Sequence, residues 1–455
     1  MDLLRQGIEV IALSGVIAPL IAGGAGWVGM VFGPPRVYPP LPWPLWVVVQ
    51  ALEWVFVVYT VYTIALPVAG LWTRQIRERY TPQKRFAVVI PAHNESVVVA
   101  NLLDSCHALD YPSELVDLYV IADNCTDNTA AIAASGGATV IERHNSAERG
   151  KGYALDYAFR WIHARKKPYD AFVIFDADNL VDPDFLNVMN AHLIRGDEVI
   201  QGRMDVKNPT DTWVSATFAL SVWFTNRFWF LSKYNLGFSS VLGGTGMCIS
   251  SALVQEIGWG ATTFTEDLEF TMKALSRGIK TAWAHNAICY DEKVQTFAAS
   301  WTQRKRWVQG QTSVAGSYLF SMGWKGIAQG NRLYIEAMFQ LFQPFYLVLG
   351  TGLLLLDYLV PSVPLRDPVM RHLDAMNFWV VVAAVEYVLP VLAVLIDHAP
   401  KRALLFLPLY GVFVNSWIPL TWAGIVGPRP KHWTHTRHTR SMAYSDLLAL
   451  RTERR

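Results

Sequence analysis

The stretch DAFVIFDADNLVDPDFLNVMNAHL, residues 170–193, decides how the remaining sequence is read. Four apolar residues, 172–175, run without a break into Asp176, Ala177 and Asp178. A short continuous apolar run closed by polar residues predicts a strand buried on both faces of a parallel sheet, ending in a loop. Residues i and i+2 of an extended chain point the same way, so Asp176 and Asp178 are expected side by side at the strand tip. Two such carboxylates repel unless a cation joins them. A hard divalent ion, Mg2+ or Mn2+, held by one or two carboxylates and by substrate phosphates, suits that chemistry. A helix cap beside a solvated acid is the plainer account of the same residues.

The pattern recurs upstream. RFAVVIPAHNES predicts a strand at 86–90, and VDLYVIADNCTDNTAAIAA predicts a strand at 116–122, a polar loop, and a helix opening near Asp127. Strands alternating with helices argue a mostly parallel, Rossmann-like α/β sheet covered on both faces. Ligands of such sheets bind beyond the carboxyl ends of the strands, where each of these polar loops falls. Asp123 ends the second strand and can accept hydrogen bonds from a ribose or base, or serve the turn itself. Asp127 is expected to cap the following helix.

Three further segments carry chemistry. ERHNSAERGKGYALDYAF places Lys151 between two glycines ahead of a helical pattern, where backbone can approach phosphate and the ammonium adds a point charge. In TTFTEDLEFTMKAL, Thr263 and Glu266 fit a capping box, which leaves Asp267 in the first turn as a candidate proton acceptor. In WTQRKRWVQGQ, residues 301–311, Gln303, Arg306 and Trp307 are spaced i, i+3, i+4 and share one helix face. Arg306 can clamp a diphosphate and Trp307 offers an apolar platform for a sugar ring. Arg304 and Lys305 lie off that face and are expected to meet phosphates or lipid headgroups; an interfacial anchor helix is the plainer alternative.

The surroundings are those of a membrane protein. Of 455 residues, 52% are hydrophobic and 17% charged, against about a quarter charged in soluble domains. Net charge of +2 gives no electrostatic case for a nucleic-acid partner. Residues 8–32 and 45–72 are each long enough to span, the second despite Glu53, and the cationic stretch 74–85 behind them marks the cytosolic side. Further apolar segments cover about 337–360, 377–396 and 403–426, while the Trp/Arg stretch 212–232 is expected to lie in the interface plane. Three crossings would export the tail, yet that tail carries seven Lys/Arg and prefers the cytosol; a cytosolic tail with one re-entrant or interfacial segment is expected. The organisation is thus two membrane helices in 1–73, a cytosolic domain in 74–330, membrane helices in 331–427 and a basic tail in 428–455. Cys106, Cys125, Cys248 and Cys289 show no metal-ligand spacing and are expected reduced and buried.

The ordered set VVIPAHNE, IADNCTDNT, RGKGYAL, FDADN, GGTGM, TEDLEF and QRKRW resembles the membrane-integrated family 2 glycosyltransferases, the cellulose, chitin, hyaluronan and poly-N-acetylglucosamine synthases among them. The resemblance implies a GT-A fold, a UDP-sugar donor, a Mg2+ or Mn2+ cofactor and an inverting hexosyltransferase. It implies that Asp123 contacts the uridine, that Asp178 and Asp176 hold the metal, and that Lys151, Asp176 and Arg306 line the donor diphosphate. It makes Asp267 the base, with Glu266 beside it, and places Gln303, Trp307, Gly244 and Thr245 at the acceptor. A growing β-linked polysaccharide coupled to export is the expected product, with an accessory secretion partner left open. A single lipid acceptor is the alternative, and an inactive membrane receptor a third. The tail segment HWTHTRHTR, around Trp433, sits where such synthases carry a loop that closes over UDP.

Overall fold

The computed structural model describes residues 42–73, 80–359, 378–428 and 442–446. The expected span 8–32, the cations of 74–79 and HWTHTRHTR lie outside the described residues.

Eight strands form one sheet: β1 Phe86–Ala92, β2 Val116–Asp123, β3 Thr139–Arg143, β4 Ala171–Ile174, β5 Leu180–Val181, β6 Val199–Val206, β7 Met247–Ser250 and β8 Thr281–Asp291. Their order is β3-β2-β1-β4-β7-β6-β8-β5. The first four are mutually parallel, β7 runs antiparallel between β4 and β6, and β6 pairs parallel with β8. The parallel half explains the unbroken apolar runs. Along β1, Phe86, Val88 and Ile90 enter one core and Ala87 and Val89 the other, so no position is left for a polar residue. Each fully buried Val, Ile or Phe adds roughly 1.5–3 kcal/mol. Helices Val99–His107 and Phe185–Ile194 cover the first face; Lys151–Ala164 and Glu266–Leu275 cover the second. Three of the four cysteines are buried and Cys125 is half-buried, all as free thiols.

Among the described residues, three helical stretches are long and apolar enough to cross a membrane: Trp43–Gly70, Arg332–Leu356 and Lys401–Val426. Glu53 within the first is buried and accepts a hydrogen bond from Gln50 at 3.1 Å. Within the stretch 212–232, the helix Trp213–Thr225 buries Ala219, Leu220 and Trp223 against Val206 of β6 and against Ala393, Val394, Ala403 and Tyr410.

Two ionic knots join the sheet domain to the apolar helices. Arg227 donates to the Gly70 carbonyl at 2.7 Å and to both oxygens of Asp397, at 2.9 and 2.5 Å; His285 of β8 reaches Asp397 at 3.2 Å. Lys233, fully buried, meets Glu336 at 2.7 Å, and the Tyr62 hydroxyl donates to the same carboxylate at 2.8 Å.

Candidate active site

β4 ends at Ile174, and the next residues turn. The Asn179 amide donates to the Asp176 carbonyl at 3.0 Å, an i to i+3 turn. The two aspartates are therefore not held side by side as an extended chain would hold them. Asp176 points to Lys151, with Nζ 2.5 Å from Oδ1. Asp178 is buried and turns to the other side, accepting from the Asn179 side-chain amide at 3.1 Å and from the Glu292 backbone at 3.4 Å. Two buried cations missed in the sequence sit there: Lys207 donates to the Asp178 carbonyl, and Lys293 lies 2.5 Å from Asp291.

The GGTG loop, 243–246, braces this turn. Gln201, fully buried, accepts from the Gly243 amide and donates to the Thr245 carbonyl, both at 2.8 Å. The Thr245 hydroxyl accepts from the Asp176 amide at 3.1 Å and donates to Asn179. Gly244, at φ +88°, offers its carbonyl to Lys151 Nζ at 2.5 Å; a Cβ there would lie 3.4 Å from Asp267 Oδ2. Glycine is needed here for the left-handed backbone.

Glu266 and Asp267 open the helix Glu266–Leu275. The expected capping box does not form. The helix begins at Glu266 itself, and the Thr262 and Thr263 amides are taken by Glu269 Oε2, each at 2.9 Å. Two close contacts fix the preceding loop: a Cβ on Gly152 would sit 2.2 Å from the Ala261 carbonyl, and one on Gly310 would sit 2.6 Å from the Thr265 side chain. Glu266 comes within 3.8 Å of Lys151 Nζ. Burial is the chief cause that pushes Glu266 up to about 7 and Asp267 up to about 6; the negative charges of Asp267 and Asp176 add to the first and that of Asp176 to the second. Burial alone would lower Lys151, but Asp176, Glu266 and Asp267 outweigh it and hold the ammonium above its ordinary value. Arg306 is lowered by burial and feels Glu266 and Asp176 as opposing neighbours.

Lys151, Asp176, Gly244, Thr245, Glu266, Asp267 and Arg306 are thus brought together. Three carboxylates share one ammonium and one guanidinium, so negative charge is in excess. Such hard oxygen donors fit a divalent ion. Among the described residues no three His, Cys, Asp or Glu side chains form a ready-made cage, so an ion here would complete its shell with phosphate or water.

Asp123 stands apart, at the end of β2. Its Oδ1 accepts from Arg143 Nη1 at 2.7 Å and from Asn124 at 3.0 Å; Oδ2 carries no hydrogen bond among the described residues. Arg143 was not singled out by its sequence context. Register could have found it, because Asp123 and Arg143 are cross-strand partners at the ends of β2 and β3. Asp127 is not the cap expected: the N-cap of the helix Thr129–Ser135 is Asn128, and Asp127, one position outside, accepts from the Thr129 amide at 3.0 Å.

Gln303, Arg306 and Trp307 lie on the helix Phe297–Gln329. Gln303 Oε1 is buried with no hydrogen-bond partner among the described residues. Trp307 does not join the carboxylates directly; its ring stands edge-on to Phe218 at 5.8 Å. Arg304 corrects the sequence reading. It is fully buried rather than turned to phosphate or lipid, donating to Ser416 Oγ at 2.8 Å and the Phe413 carbonyl at 3.3 Å, with its guanidinium 4.3 Å over the Phe413 ring.

Parallel strands that lead into a loop ring of carboxylates, a lysine and an arginine make an α/β domain of GT-A type with its site beyond the strand ends. The chain belongs to the family described as Glycosyltransferase like family 2, which matches residues 82–310. It is 24% identical over 256 residues to a probable glycosyltransferase, YdaM, of Bacillus subtilis, covering 53% of this chain and 59% of that one. It is 26% identical over 240 residues to a beta-monoglucosyldiacylglycerol synthase of Synechocystis, covering 50% of this chain and 48% of that one. The chain thus spans about half the length of these curated relatives. Among solved structures, the mannosyltransferase PcManGT from Pyrobaculum calidifontis, in complex with GDP-Man and Mn2+, aligns with a TM-score of 0.48 at 18% identity, covering 74% of this chain and 98% of that one.

Proposed function

We propose that this chain transfers a hexose from a UDP-sugar to an acceptor hydroxyl at the membrane surface, with inversion at the anomeric carbon. The observation that carries this is the meeting of Asp176, Glu266 and Asp267 around Lys151 Nζ, with Arg306 opposite. Lys151 and Arg306 are the cations that face the donor diphosphate. Asp123, its carboxylate fixed by Arg143, offers Oδ2 to an N–H of the base. Asp176, with Glu266 and Asp267 as the neighbouring oxygen donors, would hold Mg2+ or Mn2+, which when bound would neutralise charge on the leaving group; Asp178, turned to the Glu292 amide, lies on the other side of the turn.

Asp267 takes the proton of the acceptor hydroxyl. The freed oxygen forms a bond to the anomeric carbon as the bond from that carbon to the diphosphate breaks, and the electron pair leaves with UDP. Glu266, beside Asp267, keeps the pair's charge low until a cation arrives. Gln303, Trp307, Gly244 and Thr245 border the acceptor side.

A single lipid acceptor is the favoured substrate class. Its support is that relatives are named for a glycolipid synthase and that the Gly310 contact puts the Thr265–Asp267 loop against a helix joined to an apolar stretch. Polysaccharide synthesis with export is the second reading, favoured by Gln303, Arg306 and Trp307 sharing a helix face; a catalytically inactive receptor is not favoured by any contact. The apolar helices Trp43–Gly70 and Arg332–Leu356 support a multi-pass membrane chain, with its catalytic domain in the cytosol.

The test is UDP release by the purified full chain across a panel of UDP-sugars with Mg2+ or Mn2+. Asp267→Asn is expected to abolish transfer while donor binding by calorimetry persists; transfer at the wild-type rate would overturn the base assignment. Product mass separates single glycolipids from polymers.

A further inference from the structure

Lys151 stands where a lysine is unfavourable. It is the first residue of the helix Lys151–Ala164, and a cation there meets the positive end of the helix dipole. Oxygens hold it in place. Its Nζ lies 2.5 Å from Asp176 Oδ1, 2.5 Å from the Gly244 carbonyl and 3.8 Å from Glu266 Oε1. Two of the three donors of the ammonium are thereby taken, and Glu266 adds its charge at longer range.

The root of this side chain is fixed and its tip can move. A Cβ on Gly152 would sit 2.2 Å from the Ala261 carbonyl and 3.3 Å from Glu266 Cβ, so the helix start is locked beside the Glu266 loop. On the other side, nothing lies within 4 Å of a Cβ placed on Gly150, and the four-carbon stem of lysine is flexible. The Asp176 side chain is 39% exposed, against 19% for Lys151 and 10% for Glu266. An ion arriving from solvent therefore meets Asp176 first, and finds it already bound to the ammonium.

The oxygens around Nζ are the hard donors that a divalent ion takes. Ammonium and ion need the same oxygens and repel each other. With no ready-made cage among the described residues, an ion alone has few ligands with which to displace the lysine. A diphosphate changes this balance, because it supplies further oxygens for the ion and a new anionic partner for the ammonium.

We propose that Lys151 is the resident counter-ion of this site: without donor its ammonium occupies Asp176 and the Gly244 carbonyl and keeps divalent ions out, and the donor diphosphate draws it off, so that ion and donor enter together. This deepens the proposed transfer reaction and rests on its ion and its diphosphate donor.

The experiment measures Mn2+ binding to the purified full chain without donor, from the loss of the free Mn2+ paramagnetic resonance signal at about pH 7.5. Lys151→Met is expected to bind Mn2+ at least tenfold more tightly than the wild-type chain, and adding Asp176→Asn is expected to remove that gain. Mn2+ should also raise the Tm of Lys151→Met more than that of the wild type. Unchanged Mn2+ affinity in Lys151→Met, or a gain that survives Asp176→Asn, overturns the inference; a lysine with a merely structural role would lower Tm equally with and without Mn2+. A second measurement needs no variant. Saturating Mn2+ on the wild-type chain should increase reductive dimethylation of Lys151 several-fold by peptide mass, and unchanged dimethylation refutes the displacement. UDP release by the wild-type chain is followed in parallel. Its absence with every UDP-sugar would sink the transfer reading while a tighter Mn2+ site in Lys151→Met stands; UDP release with unchanged Mn2+ affinity would sink the counter-ion alone.

Discussion

Gly310 is the point at which a single methyl group should separate the proposed chemistry from the membrane-side helix. Its missing Cβ would lie 2.6 Å from both Cγ2 and Oγ1 of Thr265 and 2.9 Å from the Thr265 amide nitrogen. Ordinary contact begins near 3.4 Å, so Gly310→Ala requires the helix and the Thr265–Asp267 loop to part by about 0.8 Å. Alanine in a helix interior normally adds roughly 1 kcal/mol over glycine; overpacking here costs typically 1–3 kcal/mol. The net effect should be a modest loss in stability. The effect on rate should be larger, because a displacement near 1 Å can cost on the order of 10²-fold in turnover, and the loop that moves carries Glu266 and Asp267 while the helix carries Arg306. The control is Gly316→Ala on the same helix, where nothing lies within 4 Å of the added carbon; it should gain a little stability and keep full turnover. Steady-state UDP release and thermal unfolding of the two variants read both quantities. A Gly310→Ala protein with wild-type kcat would refute the argument that this contact sets the site's geometry.

Arg143→Gln removes the partner of the buried Asp123 carboxylate; donor KM should rise roughly tenfold, about 1.4 kcal/mol, with kcat nearly unchanged and partial recovery in Arg143→Lys, and a fall in kcat alone would contradict the assignment. Glu266 and Asp267 have pKa values raised by burial, to about 7 and about 6, so the folded state holds protons that the unfolded chain releases earlier. Stability without divalent ions should therefore fall as pH rises from the ordinary carboxylate range to about 7. Mn2+ should raise Tm more at about pH 7.5 than at about pH 5.5, since only the ionised pair attracts it; equal shifts at both pH values would argue that these acids do not feel the ion.

What the sequence disclosed was whatever depended on near neighbours. β1, β2 and β4 were visible because a strand buried on both faces writes an unbroken apolar run, and Asp123, Asp176 and Asp267 because each closes such a run or opens a helix. The turn at 176–179 was hidden. An extended DxD and a turned DxD share one sequence, and what selects the turn is the Thr245 hydroxyl almost seventy positions on. Arg143 was hidden for the same reason, since strand register decides its partner. Arg304 was misjudged because the helix wheel shows which residues share a face but not what covers it; the cover comes from Phe413 and Ser416, more than a hundred residues later. The failed capping box is a local rule overridden by two close glycine contacts from elsewhere in the fold.

Arg227 and Lys233 carry a consequence for how this molecule can be taken apart. Both are buried cations of the sheet domain whose counter-charges belong to other segments: Asp397 and the Gly70 carbonyl for one, Glu336 for the other. A fragment trimmed to the family-matched residues would keep the cations and discard their anions, and stranding one member of a buried pair costs roughly 3–5 kcal/mol. Against a total stability of about 5–15 kcal/mol, two such losses leave little margin. Soluble excision is thus a poor route to this domain, and bilayer thickness or detergent choice, by tilting the apolar helices, would pull on the sheet domain through these buried ion pairs.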